Sequence, residues 1–266
     1  MHKITVASAP LIDISAERNS GLKLQELVGA GTVGSHRGLL ALATFEPGAV
    51  QQVHRLNSAG QVAYLLSGRA EFLTPDGIVA IGRGDTIYAK KGEWHGFRNT
   101  SEEPSVFLFA YSPIPEYAKM GYEPFEGDVP STQKSFDTLN GCRLSDLQTD
   151  TEVDGYVGLG VYWLAVAETV GTKDFLLGAS TFEPGGLHAH HRHPGGDEYL
   201  FILEGGGEHL TVDGAIQLNA GELAYIPANE FHGYQNREGI FTKTIFGYFG
   251  PSNLEEAGND VMEVKS

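Results

Sequence analysis

The pentapeptide Thr44-Phe45-Glu46-Pro47-Gly48 returns letter for letter as Thr181-Phe182-Glu183-Pro184-Gly185, 137 positions later. Carried forward without a gap, the same offset pairs His54 with His191, Gly68 with Gly205 and the Asp76-Gly77 turn with Asp213-Gly214. It then pairs Gly84 with Gly221, His95-Gly96 with His232-Gly233 and Asn99 with Asn236. Self-similarity held through separate landmarks marks a duplicated unit, and a unit of roughly 110 to 130 residues is an ordinary domain size. The expected organisation is a first domain over 1–120, a connector over 121–145 enriched in Pro, Gly and polar residues, and a second domain over 146–266.

Within each unit, short runs of β-branched and aromatic residues are broken by Gly, Pro and Asp-Gly, as in Phe107–Tyr111 and Phe241–Phe249. These read as strands. The Asp-Gly pairs at 76 and 213 suit tight hairpin turns between them. Helical periodicity is weak outside a turn or two near 115–120 and 253–260. The pattern predicts an all-β chain of two barrels or sandwiches.

Charge and cysteine content exclude several classes of function. With 18 basic against 34 acidic side chains, the formal charge of −16 opposes nucleic-acid phosphates and anionic lipid. Cys142 is the single cysteine, so neither an intrachain disulfide nor a thiolate cluster can form. No apolar run approaches the roughly 20 residues needed to span a bilayer, and the N-terminal residues lack a sustained apolar segment. The expectation is a soluble, cytoplasmic protein with a small-molecule partner.

The second unit carries the chemistry. Gly185 is followed at fixed spacing by His191-Arg192-His193, Glu198 and Gly205, and a second block runs Gly221, Pro227, Asn229, His232 and Asn236. Alternate residues of a strand share a face, so His191 and His193 point one way and Arg192 the other. Glu198 can join them across the Pro194-Gly195-Gly196 turn. By the same parity Leu200, Ile202 and Tyr234 face inward, making a mainly apolar pocket with one phenol. His188 and His190 form a second pair, but their register places them opposite His191, with a role at the surface or behind the ligands.

Both blocks match the two signature motifs of the cupin superfamily, and the whole chain resembles a bicupin. The resemblance implies all-β architecture with two tandem cupin (jelly-roll) β-barrels, and homodimers are common in such proteins. It also implies one divalent metal ion per chain (Fe, Mn, Ni, Co or Zn) held by His191, His193, Glu198 and His232. The first unit departs from the pattern: the ligand positions there read His54, Leu56, Gln61 and His95. Leu56 cannot ligate and no anionic partner is present, so this half is expected to be a degenerate site, with His54, Gln61 and His95 available to a small-ligand pocket. Gly92 and Asn229 match in the repeat, and both residue types tolerate the left-handed turn expected there.

Three readings of function follow from the resemblance. The ligand set is similar to that of cupin dioxygenases such as quercetinases, implying oxidative cleavage of a small enolic, aromatic or carboxylate-bearing molecule, with Glu198 and Tyr234 as catalytic groups. A redox-neutral isomerase, lyase or aminohydrolase, as in the bicupin ureidoglycine aminohydrolases, is the alternative. The third is a non-catalytic small-molecule-binding protein. Oxalate decarboxylases are also bicupins, but they typically carry complete ligand sets in both halves, and Leu56 departs from that.

Overall fold

The computed structural model describes residues 1–152 and 155–262. The sequence repeat is a repeat of strands. Asn19–Val28, Gly60–Ser67, Arg69–Thr74, Gly77–Gly82, Asp85–Ala89, His95–Asn99 and Ser105–Ser112 recur 137 residues on as Tyr156–Ala165, Asp197–Glu204, Gly206–Thr211, Gly214–Asn219, Glu222–Ile226, His232–Asn236 and Thr242–Phe249. Each half also has one long strand, Leu39–Leu56 and Phe175–Arg192. The left-handed turns expected at Gly92 and Asn229 are present, with φ of 77° and 67°.

Each half forms one curled ten-stranded sheet. In the C-terminal sheet the order is His2–Thr5, Glu222–Ile226, Asp197–Glu204, Thr242–Phe249, Phe175–Arg192, His232–Asn236, Gly206–Thr211 and Gly214–Asn219. Tyr156–Ala165 and Asp260–Val261 also pair with the long strand. The Glu183-Pro184-Gly185 segment, with Gly185 at φ 75°, lies in the middle of that strand. Residues before it pair with Thr242–Phe249 and residues after it with His232–Asn236. A single strand thereby serves both walls of a jelly roll.

The chain divides into compact units at places other than 120 and 145. One unit comprises Met1–Ser8, Leu147–Ala167 and Thr172–Ser266; the other comprises Ala9–Asp146 and Glu168–Gly171. The expected connector belongs to the second of these: Tyr122–Pro124 pairs with Leu39–Leu56, and Gly141–Arg143 extends the sheet beside Asp85–Ala89. In the first, His2–Thr5 lies beside Glu222–Ile226. The reason is that both Asp85–Ala89 and Glu222–Ile226 would otherwise be open edges, and a short strand closes each.

The two cores differ in what fills them. In the N-terminal unit Phe45, Phe97, Phe107 and Phe109 pack ring to ring, with centroids 5.3 Å apart for Phe45–Phe107, 5.1 Å for Phe97–Phe107 and 5.2 Å for Phe97–Phe109. At the matching C-terminal positions Phe97 and Phe107 are replaced by Tyr234 and Thr244, Ala43 by Ser180 and Phe72 by His209. Phenylalanine rings fill the first core, whereas the smaller and more polar set leaves a small cavity of about 30 Å³ in the second.

Candidate metal centre

His191, His193, Glu198 and His232 are all buried, and one potential ligand atom from each lies within 4.8 Å of the others. The long strand supplies His191, its end supplies His193, and His232 stands directly across from His191. Glu198 arrives from one strand farther away than the turn suggested, because Thr242–Phe249 lies between its strand and Phe175–Arg192.

The rings are oriented from behind. His191 Nδ1 bonds the carbonyl of Ala189 at 2.7 Å, His232 Nδ1 that of Glu230 at 2.9 Å, and His193 Nδ1 that of Gly258. A carbonyl can only accept, so each Nδ1 carries the proton and each Nε2 presents a lone pair. Those lone pairs meet a carboxylate: Glu198 Oε2 lies 2.7 Å from His232 Nε2 and 3.3 Å from His193 Nε2. Acceptors facing a carboxylate in a buried site call for a proton or a metal ion among them, and three imidazoles with one carboxylate suit a divalent ion. The residues present therefore fit a metal.

Electrostatics agree. Burial raises Glu198, but His232 and His193 outweigh it and hold the carboxyl down at about 2. Burial and the neighbouring imidazoles push His191 far below its ordinary range, and burial likewise lowers His193. Burial disfavours charge on His232 as well, yet the Glu198 carboxylate prevails and raises it. The Glu198 carboxylate and the lone pairs of His191 and His193 are thus available near neutral pH, while His232 holds a proton against Glu198 that a bound metal would displace.

The cavity opens onto this cluster. Tyr248, cross-strand neighbour of Glu198, donates its hydroxyl to His193 Nε2 at 3.1 Å. The phenol expected here, Tyr234, lines the same cavity, but its hydroxyl is turned elsewhere: a Cβ added at Gly207 would lie 2.7 Å from it. Tyr248 thus occupies the place beside the cluster that parity suggested for Tyr234.

His188 corrects the parity argument. The register between the long strand and His232–Asn236 shifts between His188 and His191, so three residues on one strand span two on the other. This bulge brings His188 to the inner face. Its ring stacks on His191 with centroids 3.8 Å apart and meets Tyr156 edge-on at 4.6 Å. The structure places His188 against His191 on the inner face, not on the opposite face that simple alternation gives. His190 takes part through its backbone, accepting from Met262 N. His209 was missed altogether, although alternation along Gly206–Thr211 and its match to Phe72 mark it as inward.

In the N-terminal unit His54, Gln61 and His95 also converge. His54 and His95 anchor Nδ1 on the carbonyls of Gln52 and Glu93, and Gln61 meets His95 Nε2 at 2.9 Å. The atom facing the ring is Gln61 Oε1; with the proton on His95 Nδ1, reversing the amide would let its N–H donate to Nε2. Leu56 is buried where His193 stands in the other half. Tyr122 stacks on His54 with centroids 5.0 Å apart. Among the described residues no carboxylate joins this group.

The family described as "Cupin domain" matches residues 41–111 and 178–240. Among solved structures, a variant of Bacillus subtilis oxalate decarboxylase superposes with a TM-score of 0.74 at 16% identity, covering 98% of this chain and 79% of that one. The formate complex of Lactobacillus farciminis oxalate decarboxylase gives 0.72 at 16%, covering 94% and 86%. A Bacillus subtilis oxalate decarboxylase structure concerned with Mn(II) centres gives 0.72 at 16%, covering 98% and 79%. At such identities the likeness carries the fold. No curated protein matches the sequence.

Proposed function

The chain belongs to the cupin family, with a cupin domain in each half, and on that premise we propose that it is a metal-dependent enzyme whose single working site is His191, His193, Glu198 and His232. One observation carries the reading: three histidines tied by Nδ1 to backbone carbonyls direct their Nε2 lone pairs at one buried carboxylate, beside an internal cavity. Such preorganisation is wasted in a core and useful around an ion.

The substrate is a small enolic, aromatic or carboxylate-bearing molecule, and the first reading is dioxygenase-type oxidation. A divalent ion bound here would polarise an enolate, phenolate or carboxylate oxygen and, if redox-active, support chemistry with dioxygen. Glu198, held ionised, is the base nearest the substrate space, and Tyr248 is a neutral phenol able to hold or return a proton at its hydroxyl. Leu159, Val161 and Leu200 give the cavity an apolar wall. Oxidative cleavage of an electron-rich enol needs no external reductant, because the substrate itself supplies the four electrons that reduce dioxygen as both oxygen atoms enter the products.

The contact between Tyr248 and His193 favours a second, redox-neutral reading, in which a positioned proton donor serves isomerisation, elimination or hydrolysis. Metal analysis of protein purified without a chelating tag, then oxygen uptake with a panel of small enols and catechols, separates the readings. Turnover with stoichiometric uptake supports the first; turnover under argon at an unchanged rate supports the second. Protein lacking metal at the C-terminal cluster would refute both.

A further inference from the structure

His209 sits in the wall of the C-terminal cavity, 1% exposed, and neither ring nitrogen has a hydrogen-bond partner among the described residues. A neutral imidazole carries one donor and one acceptor, and burying both unpaired is costly. Its ring lies parallel to His232, 6° from coplanar orientation with centroids 5.7 Å apart, yet it stands outside the four-residue cluster.

Packing does not require a histidine there. The matching residue of the other half is Phe72, which stacks on His95 at 9° and 6.3 Å, nearly the same arrangement. The cross-strand neighbour of His209 is Tyr234, whose counterpart is Phe97 and whose hydroxyl turns toward Gly207 and Thr242. Of two adjacent phenylalanines in the N-terminal barrel, one is therefore replaced in the barrel that has the cavity by a histidine with both ring nitrogens unpaired. The lining also limits charge: among the described residues around the cavity, Glu198 is the one carboxylate and there is no lysine or arginine. A divalent ion with Glu198 leaves one net positive charge, which a monoanion neutralises and a dianion over-fills.

We propose that His209 is a substrate-binding residue, holding through its ring nitrogens an uncharged hydroxyl, carbonyl or amide of a small substrate that carries at most one negative charge. This rests on the metal-site reading above, with the charged end of the substrate at the cluster and the uncharged polar group at His209.

The test compares propionate with 3-hydroxypropionate, titrated into manganese-loaded full-length protein by calorimetry after metal content has been measured. The hydroxy acid is expected to bind about tenfold more tightly, as one added hydrogen bond allows. His209→Phe, the substitution already present in the repeat, is expected to keep the manganese content and melting temperature and to bring the two acids within about twofold. His209→Gln, which retains a donor and an acceptor, is expected to restore part of the preference. An unchanged preference in His209→Phe, no preference in the native protein, or loss of manganese from His209→Phe would each overturn the role. Native protein that takes up no manganese at the cluster would instead overturn the metal-site reading and the inference built on it.

Discussion

His193 bonds through Nδ1 to the carbonyl of Gly258, 65 residues downstream, so the C-terminal segment sets the direction of a candidate ligand. The same segment holds on through Gly195 N to Ala257 O at 2.9 Å and through Val261, paired with His191. Gly195 is tightly enclosed: a Cβ there would lie 2.1 Å from Glu256 O. Gly195→Ala is expected to dislodge the segment and weaken metal binding about 10- to 100-fold, as loss of a ligand's outer partner does. Competition with a fluorescent chelator measures it, and native affinity would show that Gly258 does not orient His193.

Glu198 is the sole anion of the cluster. Glu198→Gln keeps the shape and removes the charge, and is expected to reduce metal from about one per chain to under about 0.1 at equal free metal. His54→Ala and His95→Ala are expected to leave the content unchanged. Elemental analysis decides, and two ions per chain in the native protein would contradict the single-site reading.

Thr244 and Phe107 hold equivalent places, and Thr244 keeps a hydroxyl contact with Ser180 at 2.5 Å. Thr244→Phe brings the N-terminal filling into the C-terminal barrel. The expected outcome is full metal content, a stability loss of about 1–3 kcal/mol from overpacking, and activity lower by at least about 100-fold. Activity near the native level would place the substrate elsewhere.

Burial, joined for His54 by repulsion from His95, lowers these two imidazoles from 6.5 to about 3 and about 4. Below pH 6.5 the unfolded chain takes up protons that the folded barrel refuses, so stability falls with falling pH, by about 1.4 kcal/mol per unit for each histidine. The loss levels off once pH passes below the folded values, and raising the pH restores it. Denaturant unfolding from pH 4.5 to 7 should show a shallower slope in His95→Gln than in the native protein; parallel slopes would mean that His95 is protonated in the fold.

Oxalate is expected to be neither decarboxylated nor oxidised, despite the shared fold. A dianion beside Glu198 would leave the buried site one negative charge in excess, with no cationic side chain among the described lining residues to offset it. Formate and carbon dioxide assays on manganese-loaded protein test this, and turnover above about 1 per second would overturn it.

The duplication, the strand class and the shared face of His191 and His193 were legible because they depend on spacing and on the two-residue period of a strand, while His232 joined them through the family resemblance. Where that period breaks, the reading broke with it: the bulge before His191 carried His188 inward, against simple alternation. Tyr248 eluded it because its place beside His193 depends on which strand lies between Asp197–Glu204 and Phe175–Arg192, a matter of topology. His209 was within reach, since setting it against Phe72 exposes a polar residue in a core position. The boundaries at 120 and 145 followed composition, which does not reveal that short strands leave one half to complete the other's sheet.

That completion has a consequence for how the protein is made. His2 pairs with Tyr225, so a strand made well before the N-terminal sheet has its place in the sheet that is synthesised after it. Until Glu222–Ile226 emerges, residues 2–5 have no partner, and until they return, that strand shows an open edge able to recruit another chain. Closing a loop of this length slows folding. Deletion of residues 1–8 should therefore act on yield and aggregation through the barrel that carries His191, His193, Glu198 and His232, while leaving the other barrel intact.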